Sequence, residues 1–195
     1  MVLCYTSFMQ PSLRFLESPA ITANGKDFDL LPHKPVCLLV YLAYQGTWVS
    51  REVLASLFWP EDDEASARHN LRMLLSRAKQ LPWATTLEAE TTRLRWQVQT
   101  DVAAFREAVG QGNWERVATL HRSALLSSWR LSDMPGVEEW LELEREALLS
   151  TWREAVLKHS KNLNQNSDYS NAATFLKSLL SHDPLAEDVL ALYLE

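Results

Sequence analysis

The segment Ala65–Leu81 constrains this chain most. Turned at about 100° per residue, it gathers Ala67, Leu71, Leu74, Leu75 and Ala78 within about 80° of one another, the apolar stripe of an amphipathic helix. The opposite side carries His69, Met73, Ser76, Arg77 and Gln80, with Arg68, Asn70, Arg72 and Lys79 on the flanks. Glu61, Asp62, Asp63 and Glu64 sit at its N-terminal end, where the helix dipole favours carboxylates, and Pro82 is expected to end it. A face so rich in donors suits base edges and phosphates: Arg forks onto guanine or phosphate, Asn and Gln onto adenine.

The flanking sequence places this helix third in a series. Pro35–Tyr44 has the run of apolar residues expected of a helix, with Gly46 as its C-terminal cap. Ser50 then offers an N-cap oxygen to a short helix whose buried side is Leu54, Leu57 and Phe58, stopped at Trp59-Pro60. After Pro82, Thr85–Ala89 and Leu94–Val98 read as two strands joined around Glu90-Thr91-Thr92-Arg93. Before the first helix, Val2–Phe8, Ser12–Leu16 and the pair Ala20–Thr22 and Asp27–Leu30 read as strands, with Asn24-Gly25 as a hairpin turn. An N-terminal sheet, three helices and a hairpin make a winged helix-turn-helix, whose third helix enters the major groove while the wing reaches a backbone or the minor groove.

From Asp101 onward the period is helical throughout. Asp101–Val109, Trp114–Trp129, Val137–Asn164, a helix from Asp168 to about His182 and a last one over Leu185–Glu195 are expected, with Leu131–Gly136 as a loop. Within Arg153–Pro184, small Ser160 and Ala172 and the closing Pro184 fall at the positions of a tetratricopeptide repeat of about 34 residues. The expected fold is therefore mostly α with a small β part: a winged helix over residues 1–98, then an all-α, tetratricopeptide-like repeat domain over 99–195. The apolar Val189, Leu190, Leu192 and Tyr193 call for a cover, expected from chain beyond residue 195, from the same domain or from a second copy.

Charge separates the two parts. The net charge is −6, yet residues 1–98 balance ten Lys/Arg with ten Asp/Glu, and residues 99–195 hold nine against fifteen. Residues 65–98 alone carry Arg68, Arg72, Arg77, Lys79, Arg93 and Arg95 against Glu88 and Glu90, a local excess that a nucleic-acid surface requires.

The chemistry of catalysis is missing from the sequence. No phosphate-binding Gly-rich loop, nucleophile elbow or zinc-protease motif occurs, and Ser50 and Ser76 have no base nearby in sequence. His33, His69, His121, His159 and His182 are dispersed, and Cys4 and Cys37 sit in apolar patterns without metal-ligand spacing. No enzyme, metal or cofactor is expected. Glu138, Glu139, Glu142, Glu144 and Glu146 read as a solvated helix face, and the eight Trp read as packing anchors. Two lone cysteines and no long apolar run suit a cytoplasmic protein without a membrane partner.

A more specific likeness comes from particular residues. Leu38-Leu39…Leu42, Val49-Ser50-Arg51…Leu54, Leu57-Phe58-Trp59-Pro60 and Ala67-Arg68-His69-Asn70-Leu71-Arg72…Leu75-Ser76-Arg77 resemble the DNA-binding domain of the Streptomyces antibiotic regulatory protein family. Asp101…Phe105, Ala124-Leu125…Trp129 and Glu139-Trp140…Glu144-Arg145 resemble the bacterial transcriptional activator domain that follows it there. The chain departs from the family at Ala78-Lys79-Gln80, where Leu-Arg-Lys is more usual.

The resemblance implies a bacterial transcription activator that binds promoter direct repeats on double-stranded DNA, with two copies side by side. The candidate DNA-contact residues are Arg68, His69, Arg72, Met73, Ser76, Arg77 and Lys79 on the third helix, Thr47, Trp48, Ser50 and Arg51 before and at the start of the second, and Thr92, Arg93 and Arg95 on the wing; Lys34 is a further phosphate candidate. The acidic turn of Trp59, Glu61, Asp62, Asp63 and Glu64 is implied to touch RNA polymerase through its sigma subunit. The competing expectation is a protein–protein adaptor whose winged helix does not bind DNA.

Overall fold

A computed structural model describes residues 11–194. The strand expected at Val2–Phe8, with Cys4, lies outside the described residues. Three short strands come first: β1 (Ser12–Arg14), β2 (Ala20–Ala23) and β3 (Lys26–Asp29). The β2–β3 turn is Asn24-Gly25, both with positive φ (52° and 72°), which matches the right-handed twist of the strands it joins. Helices α1 (Lys34–Gln45), α2 (Arg51–Phe58) and α3 (Glu64–Ala78) follow. Gly46 caps α1 at φ 64°, donating its N–H to the Leu42 carbonyl. Ser50 caps α2, its hydroxyl accepting from the Val53 N–H at 3.2 Å.

The wing is shorter than its sequence suggests. Its strands are β5 (Glu88–Ala89) and β6 (Arg93–Arg95), and β6 also pairs with a two-residue strand before α2, β4 (Val49–Ser50). A second unannounced strand, β7 (Gln99–Thr100), runs parallel to β1 and completes a four-stranded sheet in the order β3-β2-β1-β7.

Five helices form the rest: α4 (Asp101–Gly110), α5 (Trp114–Leu120), α6 (Pro135–Gln165), α7 (Tyr169–His182) and α8 (Glu187–Leu194). The molecule is thus mostly α with a small β part, a winged helix-turn-helix followed by antiparallel helical repeats. Ser160 and Ala172 are fully buried where α6 meets α7, as close helix approach requires. No helix among the described residues is long and apolar enough to cross a membrane.

Several expectations need correction. The helix α3 ends at Ala78, before Pro82, because the Gln80 and Leu81 N–H groups turn back in tighter bonds to Arg77 and Ala78. The helix expected over Trp114–Trp129 stops at Leu120. Beyond it the amides of Arg122 and Ser123 donate to the Leu16 carbonyl and that of Leu126, at φ 47°, donates to Phe15. The segment therefore spends its hydrogen bonds on the N-terminal sheet instead of on a helix ladder. Pro135 does not sit in a loop; it opens α6, where its missing N–H costs nothing.

The glutamates of α6 are not all solvated. Glu144 accepts from the Tyr44 hydroxyl at 2.5 Å and Glu138 from the Leu131 N–H at 3.3 Å. The histidines are not all apart either: His121 stacks on Trp152 at 5.0 Å, and His182 lies against the same indole at 5.1 Å. Burial pulls the His121 pKa down to about 4, and neither of its ring nitrogens has a partner among the described residues.

One apolar core runs through both halves of the chain. Trp83, Trp96, Trp129 and Trp152 lie buried within it, and the Trp129 indole donates to the Leu30 carbonyl at 2.8 Å. Asp101 accepts from the Phe15 and Leu16 amides at 2.8 Å each, joining the start of α4 to the end of β1. Burial raises its carboxyl pKa despite these bonds. On the far side, Tyr41 and Tyr44 meet Trp140 edge-on at 4.8 and 5.1 Å, and α2 rests on the first turn of α6.

Candidate nucleic-acid interface

The apolar stripe of α3 is buried as its spacing requires: Ala67, Leu71, Leu74, Leu75 and Ala78 all lie in the core. Its other side is therefore turned to solvent, and Arg68, His69, Arg72, Met73, Ser76, Arg77 and Lys79 are all exposed. The three elements of the winged helix meet at a groove of about 520 Å³. Ser50, Arg51 and Glu52 from the start of α2, Arg68, Leu71 and Arg72 from α3, and Thr91 and Thr92 from the wing tip line it. The wing tip is fixed in place there, because the Arg51 N–H donates to the Thr92 carbonyl at 2.8 Å and its Nε to the Glu90 carbonyl at 3.0 Å.

The other sequence-predicted residues fall around this groove. Met73 and Arg77 border a smaller hollow of about 290 Å³ with Lys34, Trp59 and Asn70, where the Lys34 ammonium lies 5.5 Å from the Trp59 ring. His69 lines a different depression, together with Glu61, Asp62 and Asp63. Thr47 is exposed just ahead of β4. Trp48 is half-buried beneath the wing, its ring 4.5 Å from the guanidinium carbons of both Arg93 and Arg95.

Electrostatics divides the cations into two classes. Among the described residues, Arg72, Arg77 and Lys79 have no ion pair or side-chain hydrogen bond, and Arg51 touches no carboxylate. By contrast Arg68 is paired with both Glu52, at 3.2 Å, and Glu64. Arg95 forks onto Glu88 at 3.0 and 2.9 Å, and Arg93 onto Glu90 at 2.6 and 3.3 Å. The Arg93 guanidinium holds the Glu90 carboxyl below its ordinary pKa.

The acidic turn is folded onto α3. Asp63 caps that helix, accepting from the Ala65 and Ser66 N–H groups at 3.0 and 3.1 Å, and the Ser66 side chain first, with these bonds after it, holds its pKa down. Asp62 accepts from the Asn70 amide at 3.0 Å, which occupies one donor of a side chain otherwise suited to adenine. Glu61 stays exposed. Glu52 and Thr91, not among the candidate residues, also line the groove, and Glu88 and Glu90 partner the wing arginines. The spacing of Glu90 and Arg93, three residues apart across a tight turn, was the available signal for the last. No group of three His, Cys, Asp or Glu side chains among the described residues could hold a metal.

No protein-family model and no curated protein matches the chain. Among solved structures, Mycobacterium tuberculosis EmbR, captured in complex with a low-affinity phosphopeptide, is similar, with a TM-score of 0.66 at 17% identity. The likeness is one of fold. It covers 94% of this chain and 53% of that one, so this chain spans about half the length of that protein.

Proposed function

We propose that the protein is a DNA-binding transcription regulator of the Streptomyces antibiotic regulatory protein type. The observation that carries this reading is the set of unpaired cations, Arg51, Arg72, Arg77 and Lys79, on a solvent-facing third helix and beside the groove it forms with the start of α2 and the wing tip. Arg72 and Arg77, with Met73 and Ser76, would meet base edges and adjacent phosphates in the major groove, and Ser50 and Arg51 would hold a phosphate at the start of α2. His69 lies toward the acidic turn, at the margin of this surface.

Residues 1–98 act as the DNA-reading domain and 99–195 as the helical domain that serves self-association or regulation. The resemblance noted in the sequence extends this to an activator that occupies promoter direct repeats as adjacent copies. Its acidic turn, Trp59 with Glu61–Glu64, points to a contact with the sigma subunit of RNA polymerase. The likeness of fold to EmbR supports the architecture such a regulator needs.

The test is an anisotropy titration of the chain against the DNA upstream of its own gene and against a mixed-sequence duplex, at two salt concentrations. Tighter binding to the former, weakening as salt rises, is the expected result. Absence of salt-dependent binding to either duplex would exclude DNA and leave the adaptor reading, which the carboxylate-paired wing favours.

A further inference from the structure

The wing has an internal order that its net charge conceals. Arg93 and Arg95 flank Leu94, which is fully buried, so both arginines project from the face opposite the core. On that face each guanidinium lies between two partners: the Trp48 ring on one side, at 4.5 Å, and a carboxylate of the neighbouring strand or turn on the other. Glu88 is the register partner of Arg95, and Glu90 closes the turn by accepting from Arg93. The result is one indole, then a pair of guanidiniums, then a pair of carboxylates across the β4-β6-β5 sheet.

We infer that Glu88 and Glu90 are built-in phosphate mimics, holding the forked donors of Arg95 and Arg93 that a DNA backbone would otherwise take. The inference rests on the DNA-binding reading above and deepens it by naming what restrains that site. A carboxylate, like two oxygens of a phosphate, accepts both N–H bonds of a guanidinium fork. The exchange is feasible because the Arg93–Glu90 pair is open, with 47% of each side chain exposed, and exposed pairs are weak. Trp48 keeps both guanidiniums in position when the carboxylates leave, so the wing is already shaped for a backbone. Unpaired Arg72 and Arg77 would therefore supply the first attraction, and the wing would engage only by displacing its own carboxylates.

The test measures binding of a labelled mixed-sequence duplex across a salt series for the wild type, Glu90→Gln, Glu88→Gln/Glu90→Gln, Arg93→Gln, Arg93→Gln/Glu90→Gln and, as a charge control at an exposed position of α6, Glu146→Gln. The double glutamine variant is expected to bind about tenfold more tightly at low salt, because its wing arginines no longer have to be released from two exposed ion pairs. The gain from Glu90→Gln is expected to vanish when Arg93 is also replaced. A gain that persists without Arg93, or an equal gain from the distant Glu146→Gln, would reduce the effect to overall charge and overturn the inference. So would unchanged or weaker binding by variants that keep the wild-type urea midpoint. If the wild type binds through Arg72 and Arg77 but the glutamine variants match it, this inference falls alone. If no form binds DNA, the function proposed above falls with it.

Discussion

Gly136, in the first turn of α6, packs directly under the backbone carbonyl of Leu57 in α2. A side chain of any size would meet that carbonyl oxygen, which belongs to rigid helix backbone and cannot swing aside. Gly136→Ala is therefore expected to lower stability by about 1–3 kcal/mol, the usual cost of overpacking. Gly110→Ala serves as the control, since a Cβ there meets nothing within 4 Å and its helical backbone accepts alanine. Urea denaturation should show the first variant destabilised and the second unchanged or slightly more stable.

Arg72→Ala and Arg77→Ala should each weaken duplex binding and flatten the salt slope by about 0.9 if the side chain meets a phosphate. A loss confined to one DNA sequence, with the slope unchanged, would assign that arginine to a base edge. Both residues are exposed and unpaired, so the far-ultraviolet circular dichroism spectrum and urea midpoint should match the wild type.

His121 makes stability depend on acidity. Its pKa is about 4 when folded against an ordinary 6.5, so the unfolded chain binds the proton more readily between those values. Stability is expected to be full above pH 6.5 and to fall by up to about 3 kcal/mol as pH drops toward 4. His121→Leu removes the titrating group while keeping an apolar fill against Trp152. Urea midpoints measured from pH 4 to 7 should lose most of this slope in the variant.

Arg145 holds a segment that has no regular structure of its own. Its Nε donates to the Leu125 carbonyl at 2.8 Å and a terminal nitrogen to the Leu126 carbonyl at 2.7 Å. Arg145→Met leaves the Leu125 carbonyl in the core without its donor and the Leu126 carbonyl with only the Trp129 N–H, at a cost of about 1–3 kcal/mol. Limited proteolysis should then cut residues 121–134 earlier than in the wild type.

The helices were legible in the sequence wherever one face had to be buried. Leu71, Leu74 and Leu75 can share a side only on a helix, and Ser50 and Gly46 mark termini by local chemistry. What local pattern could not disclose was pairing between distant segments. Strands β4 and β7 have two residues each, too few for any alternation, and exist because Val49 meets Leu94 and Thr100 meets Leu13. The missing half of the Trp114–Trp129 helix has the same cause, since Leu16 and Phe15 take its amides. At the interface, exposure of the α3 residues followed from periodicity. The distinction between bound and unbound arginines did not, because it depends on where Glu52, Glu88 and Glu90 come to rest.

Helix α6 runs for 31 residues without a break, about 46 Å at 1.5 Å per residue. Its first turn abuts Leu57 and its last turns carry α7. Such a rod joins α2 at one end to the α7 hairpin at the other as one stiff element. A displacement of its far end therefore has no kink along the helix in which to be absorbed.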